Sequence, residues 1–338
     1  MVLESIWFYV WGLLWAIFFI TDGFDFGIGA LHPFLGRSEQ DKRHMISAMG
    51  PLWDGNEVWL ITAGGVTFAA FPLVYAVMFS SLYTALMLIL FALILRGVSM
   101  EFRGKVASPA WRRVWDTCLF VGSAVPALLF GVAFANIFQG LPLDQEHLFQ
   151  GNLLTLLNPY GLLGGLLFLL FFLVHGALWL AIRTSGDLQA RAVRTAAWIW
   201  LPLLLTAVAF LVYSAVATTL YANYLARPYL FVVILLAVAG LLGIRIFLAR
   251  QEYFKAWFAS ALAIFSATFF GIVGLFPNML PSSLGAEFSL TAFNASSSPL
   301  TLKIMLVVVV LFIPVVLAYQ IWAYTLFRTK VSGEEMAH

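Results

Sequence analysis

The residues with chemistry to offer are carboxyls set where lipid is expected. In the first apolar run, "TDGFDFGIG" at 21–29 places Asp22 and Asp25 three residues apart, a spacing that puts both on one helix face. The stretch "GPLWDGNEVWL" at 50–60 repeats that spacing with Asp54 and Glu57, and Asp116 follows in "RRVWDTCL". An ionisable side chain inside a membrane span is costly, so it has a partner or a task. Five such acids in the first four apolar runs suit the entry path of a proton or another cation. A purely structural account competes with this one. Asp54 and Glu57 also suit a helix start, as a cap and a dipole-complementing acid. Asp22 and Asp25 also suit hydrogen-bonded packing.

Other chemistry is sparse. His32, His44, His147 and His338 fall at helix ends, in loops or in the tail, and only His175, in "FFLVHGALWL", lies mid-span. One histidine cannot supply both axial ligands of a b-type haem. A buried, hydrogen-bonded His175 is therefore preferred over a ligand completed by a methionine or a partner's residue. The single cysteine, Cys118, excludes an internal disulfide and a Cys-rich metal site. Catalytic triads, phosphate loops and Cys/His metal spacings do not occur.

The elements that must position the acids follow from composition. Of 338 residues, 62% are hydrophobic and 10% charged, against about 45–50% and 25% in a soluble domain. The solvent is therefore lipid, and the net charge of +2, spread in short clusters, gives no nucleic-acid surface. A spanning helix needs about 20 apolar residues. Nine stretches qualify: 6–31, 53–71, 73–96, 114–138, 158–182, 192–217, 229–249, 255–277 and 300–327. The second and third are separated at Phe71-Pro72, since proline ends a helix there. The start "MVLES" has no basic region and no small-residue cleavage site after the first run, which reads as a retained helix. The fold class is thus all-α and polytopic. Residues 1–330 form one transmembrane domain and 331–338 a cytoplasmic tail. Helices one to four and five to eight are expected as two four-helix bundles with one extra helix.

Lys and Arg set the orientation. Arg37, Lys42, Arg43, Arg96, Arg103, Lys105, Arg112, Arg113, Arg183, Arg191, Arg194, Arg245, Arg250, Lys255, Arg328 and Lys330 fall on one side, and only Arg227 and Lys303 on the other. The N-terminus is expected to be periplasmic and the C-terminus cytoplasmic, with all five acids in the cytoplasmic half. Asp54 lies 18 residues before Pro72 and Arg96 24 after it, a height difference of about 9 Å. A long arginine spans that gap, so an ion pair or a water-bridged contact between Arg96 and Asp54 is expected, with Trp53 and Trp59 anchoring the helix end. Asp54 is then the charged acid at the mouth, and Asp25, deeper, the next to accept a proton.

These motifs resemble subunit II of the cytochrome bd-type quinol oxidases. The matching pieces are "TDGFDFGIGAL" at 21–31, "GPLWDGNEVWLITAGG" at 50–65, "FAAFPLVYA" at 68–76, "GVAFANIFQGLP" at 131–142, "LNPYGLLGG" at 157–165, "FPNMLPSS" at 276–283 and "SSSPLTLKIM" at 296–305. They run in order over nearly the whole chain. The resemblance implies a bacterial inner-membrane complex that oxidises quinol, reduces dioxygen to water and contributes to the proton motive force. It implies haem b and haem d liganded by the larger partner, subunit I, and none by this chain. A very small single-helix subunit often accompanies the pair, and some relatives hold a quinone in subunit II, where Arg96 and Trp53 are candidate contacts. By motif, Asp25 and Asp54 match the family's acids on a cytoplasmic proton-uptake path. Asp116, in "RRVWDTCL", is a looser match to the same path, Asp22 and Glu57 are added from their positions, and His175 belongs to none of the motifs.

Two other readings compete. A stand-alone proton- or cation-coupled transporter would use the acids for coupling, but it should show inverted halves with broken helices in matching places. Here the acids sit in the first half alone. A haem-carrying electron-transfer subunit would need more than one mid-span histidine.

Overall fold

The computed structural model describes residues 1–327 and 329–331. Arg328, part of the expected C-terminal basic pair, and residues 332–338, most of the expected tail, lie outside the described residues. The helices in chain order are α1 (Val2–Thr21), α2 (Gly23–Leu35), α3 (Glu39–Met49), α4 (Trp53–Ala70), α5 (Pro72–Ser81), α6 (Tyr83–Phe102), α7 (Pro109–Gln139), α8 (Leu153–Leu156), α9 (Pro159–Arg183), α10 (Gly186–Ala217), α11 (Tyr221–Ala226), α12 (Val232–Ala249), α13 (Tyr253–Leu275) and α14 (Pro299–Leu326). Several starts follow one rule. Ser108, Asn158 and Ser298 each accept a hydrogen bond from a backbone N–H of the first turn, and each precedes a proline at the first helical position. There the missing N–H costs nothing, because no carbonyl awaits it.

Eight segments among the described residues are long and apolar enough to cross a membrane, the first of them the α1–α2 rod Val2–Leu35. They coincide with eight of the nine expected spans. The difference is α4, whose first turns carry Asp54, Asn56 and Glu57 and dilute its apolar character. Pro72 does end α4, but a second bend at Leu82 separates the ten-residue α5 from α6. The expected span 73–96 is thus two helices. The loop after the first span also holds an unanticipated helix, α3, opened by a reciprocal Ser38/Asp41 capping box.

The rods group as expected. The α1–α2 rod, α4, α6 and α7 form one bundle, while α9, α10, α12 and α13 form the other; α14 leans on α1 and α4. Only Leu302 of α14 is buried, so that helix offers nearly its whole surface to lipid or a partner. The two loops 139–152 and 278–298 interlock at the opposite end from α3. There Leu141 N–H donates to the Pro281 carbonyl and Ser283 N–H to that of Leu141. A short hairpin, β1 (Asn278–Leu280) with β2 (Leu290–Thr291), closes this cap, and Ser297 N–H ties it to the Ala70 carbonyl at the end of α4.

The bundles meet through glycines. A Cβ on Gly27 of α2 would lie 1.8 Å from the Phe172 carbonyl oxygen of α9, and one on Gly176 of α9 would lie 2.6 Å from the Ile28 nitrogen. Backbone faces backbone at this crossing, as membrane helices pack when small residues allow it. Gly27→Ala is therefore expected to force the helices apart, at about 1–3 kcal/mol. A lower melting temperature of the detergent-solubilised complex checks this, and an unchanged one would show slack the crossing does not have.

Candidate functional site

The acids of the first span lie at a break in the helix. α1 ends at Thr21, α2 begins at Gly23, and Asp22 stands between them. Asp22 is fully buried and Asp25 is 1% exposed. Because they sit one turn apart on one face, both point toward the same neighbours.

Arg96 of α6, also fully buried, is the central cation. Its Nη2 donates to both Asp22 carboxylate oxygens, at 2.9 and 3.0 Å, and closely to Glu57 Oε1 of α4. The guanidinium lies over the Phe26 ring, 4.3 Å from its centroid, a cation–π contact strengthened by the dry surroundings. Gly122 of α7 makes room behind it, since a Cβ there would lie 2.7 Å from the Arg96 nitrogen. The Nε and Nη1 groups of Arg96 have no hydrogen-bond partner among the described residues.

Asp25 belongs to a neighbouring chain of hydrogen bonds. Its Oδ2 accepts from Asn56 Nδ2 at 2.7 Å, and Asn56 Oδ1 accepts from the Tyr324 hydroxyl of α14 at 2.8 Å. Asp25 Oδ1 has no partner among the described residues. Two further bonds hold α14 in place: Trp59 Nε1 donates to Gln320 Oε1 at 3.1 Å, and Gln320 Nε2 to the Gly55 carbonyl at 3.3 Å. Two carboxyls, Asp22 and Glu57, therefore share one guanidinium, and Asp25 lies one turn from Asp22, in a site built from α1–α2, α4, α6 and α14.

The expected Arg96–Asp54 ion pair is not formed. Asp54 is exposed, with no hydrogen bond or ion pair to a described residue, and Arg96 takes Asp22 and Glu57 instead. A contact between Asp54 and Arg96 requires α4 and α6 to run side by side as a hairpin from Pro72. They do not, because α5 and the bend at Leu82 intervene and an open apolar cavity of about 910 Å³, lined by Leu60, Gly64, Phe68, Tyr83 and Leu86 among others, separates them. The helices converge only near Trp53, whose indole edge would lie 3.3 Å from a Cβ on Gly97, the residue after Arg96.

Asp116 sits in a different cluster. It accepts from Lys42 Nζ at 2.7 Å and from Arg103 Nε at 2.5 Å, with His32 Nδ1 at 3.7 Å. Arg103 also donates to both Glu39 oxygens, at 2.8 and 3.1 Å, and that hydrogen bond holds the Glu39 carboxyl below its usual range. Together these ties bind α3 to α2, α6 and α7. His32 lies seven residues beyond Asp25 on α2, about 10 Å along the helix, so Asp116 is not brought to the buried acids.

The sequence reading omitted Asn56, Tyr324 and Phe26. Asn56 is the middle polar residue of "DGNE" and falls on the buried face; Tyr324 is a polar residue in the last span, as is Gln320. His175 is buried between the bundles, with Nδ1 2.5 Å from Ser260 Oγ and Nε2 3.0 Å from the Ile20 carbonyl. Its ring stacks on Trp257, with centroids 4.9 Å apart. Both nitrogens are engaged, so neither is free to hold haem iron, and this histidine does not fit an axial ligand.

The chain matches the family model described as cytochrome bd terminal oxidase subunit II over residues 3–327. It is 40% identical to a probable cytochrome oxidase subunit 2 of Haemophilus influenzae, across 96% of this chain and 93% of that one. It is 36% identical to a cytochrome bd ubiquinol oxidase subunit 2 of Bacillus subtilis, across 98% of each. A chain of the solved bd oxidase from Geobacillus thermodenitrificans superposes with a TM-score of 0.78 at 16% identity, covering 97% of this chain and 99% of that chain.

Proposed function

The chain belongs to the cytochrome bd terminal oxidase subunit II family, and from that premise we propose that it carries protons from the cytoplasm toward the oxygen-reducing centre of its complex. As a member of that family it is a bacterial inner-membrane chain and works beside a partner, subunit I, in a haem-using terminal oxidase. The finer reading is that the complex oxidises quinol, ubiquinol in the relatives' names, and reduces dioxygen to water. The haems, of b and d type, supply the electron transfer and oxygen chemistry and belong to subunit I. A small third subunit and a bound quinone remain part of the family's pattern.

One observation carries the proton reading: buried Arg96 is shared by Asp22 and Glu57, with Asp25 beside them. One cation balances one carboxylate in a dry interior, and several kcal/mol stand against each further uncompensated charge. The proton is the ion that balances the rest without needing space. Asp54, exposed at the start of α4, is the mouth. Glu57, one turn further along, passes protons inward to Asp22, and Asp25 receives them next. The side bearing Lys42, Arg43, Arg103 and Arg112 faces the cytoplasm.

Asp54→Asn keeps the size of the side chain but removes its proton affinity. Steady-state quinol-driven oxygen consumption by the Asp54→Asn complex is expected to fall several-fold while haem spectra and assembly stay normal. Full turnover would leave Asp54 as a dipole-complementing acid only, and loss of haem would make it structural.

A further inference from the structure

The break between α1 and α2 decides where the buried acids point, and something must hold it. Without the break, Val2–Leu35 is one rod of 34 residues. A helix that stops leaves its last carbonyls without intrahelical donors, and in lipid no water replaces them. Two side-chain contacts act at this point. Thr21 Oγ1 donates back to the Ile17 carbonyl at 2.8 Å, a bond that bends helices. Ile20, in the last turn of α1, faces His175 Nε2 of α9 at 3.0 Å.

The chemistry of the partners sets the histidine's state. A carbonyl oxygen only accepts, so Nε2 carries the hydrogen. Nδ1 of the neutral ring then only accepts, and the Ser260 hydroxyl of α13, 2.5 Å from it and 2.7 Å from the Trp257 carbonyl, has one hydrogen to offer the two acceptors. Stacking on Trp257 fixes the plane of the ring. The second bundle thereby presents one oriented N–H to the break in the first.

The position is also rigid. Gly176, the next residue on α9, lies against the α2 backbone at Gly27 and Ile28, and Gly23 would meet the Phe172 ring with a Cβ 2.7 Å away. With no slack at this crossing, a change at His175 reaches α2 directly. His175 touches none of the carboxyls and acts through the backbone alone.

We infer that His175 is a positioning residue for the acid pair: its N–H, given to the Ile20 carbonyl, fixes where α1 yields to α2 and so aims Asp22 at Arg96 and Asp25 at Asn56. The activity consequence rests on the proton reading above; the geometric consequence does not.

The test uses the assembled complex with His175→Leu, which removes the donor, and His175→Gln, whose amide nitrogen stands where Nε2 does. Two readouts are taken: oxygen consumption against pH, and the Asp25 carboxyl stretch in redox-difference infrared spectra, identified by its loss in Asp25→Asn. His175→Leu is expected to shift that band, displace the pH profile and slow turnover roughly tenfold or more, as small misplacements of reacting groups do. His175→Gln is expected to restore all three. A wild-type band and pH profile in His175→Leu overturn the inference. Should His175→Leu fail to assemble, His175→Met, which keeps an apolar side chain of similar length and donates no hydrogen bond to the Ile20 carbonyl, must move the same band, and an unmoved band overturns it equally. Full turnover in Asp25→Asn would sink the proton reading alone, because the band shift still decides the role of His175.

Discussion

Asp25→Asn is expected to lower oxygen reduction by about 100-fold, the scale on which a positioned proton carrier contributes. The haem spectrum should be unchanged. The substitution is nearly isosteric, and Asn56 Nδ2, which donates to Oδ2 at 2.7 Å, finds an amide oxygen at the same place. Packing and the Asn56–Tyr324 bond therefore persist, and only the ability to take up and release a proton is lost. Steady-state oxygen consumption, normalised to haem, reads the effect. Turnover near wild type would mean that protons bypass Asp25 and that its burial is a matter of packing.

Arg96→Leu is expected to act on assembly rather than rate. It leaves Asp22, fully buried, and Glu57, partly exposed, facing each other without a cation. Removing one partner of a buried ion pair costs about 3–5 kcal/mol, and here the Phe26 cation–π contact goes too. The amount of haem-bearing complex per membrane protein should fall steeply. Arg96→Leu combined with Asp22→Asn should recover part of it, because the fully buried charge is removed with its partner. Equal losses in the single and double variants would show that the arginine matters for its packing and not its charge.

How far the sequence reached can be read from particular residues. Asp22 and Asp25 were legible because a charge in an apolar run contradicts its surroundings, and spacing alone puts both on one face. Glu57 and Arg96 were legible as candidates, but their pairing was not. That pairing depends on the bend at Leu82 and the opening between α4 and α6, which no periodicity reports. Asn56 and Tyr324 were missed for a different reason. They carry no charge to mark them, and they lie 268 residues apart on helices whose packing is set by shape. α3 was readable in retrospect from "SEQD", whose Ser38 and Asp41 cap its start. Its polar composition is that of a loop, and nothing in the sequence marks that its Lys42, with Arg103, holds Asp116 away from the buried acids.

The most direct test of the proton route is uptake itself. In the purified complex, turnover is started from the reduced, oxygen-exposed state, and a pH dye follows proton uptake from the cytoplasmic side while optical spectra follow the haems. In the Asp25→Asn complex, early electron transfer among the haems should keep its wild-type rate while proton uptake slows in step with steady-state turnover. Wild-type proton uptake in that complex would contradict the route.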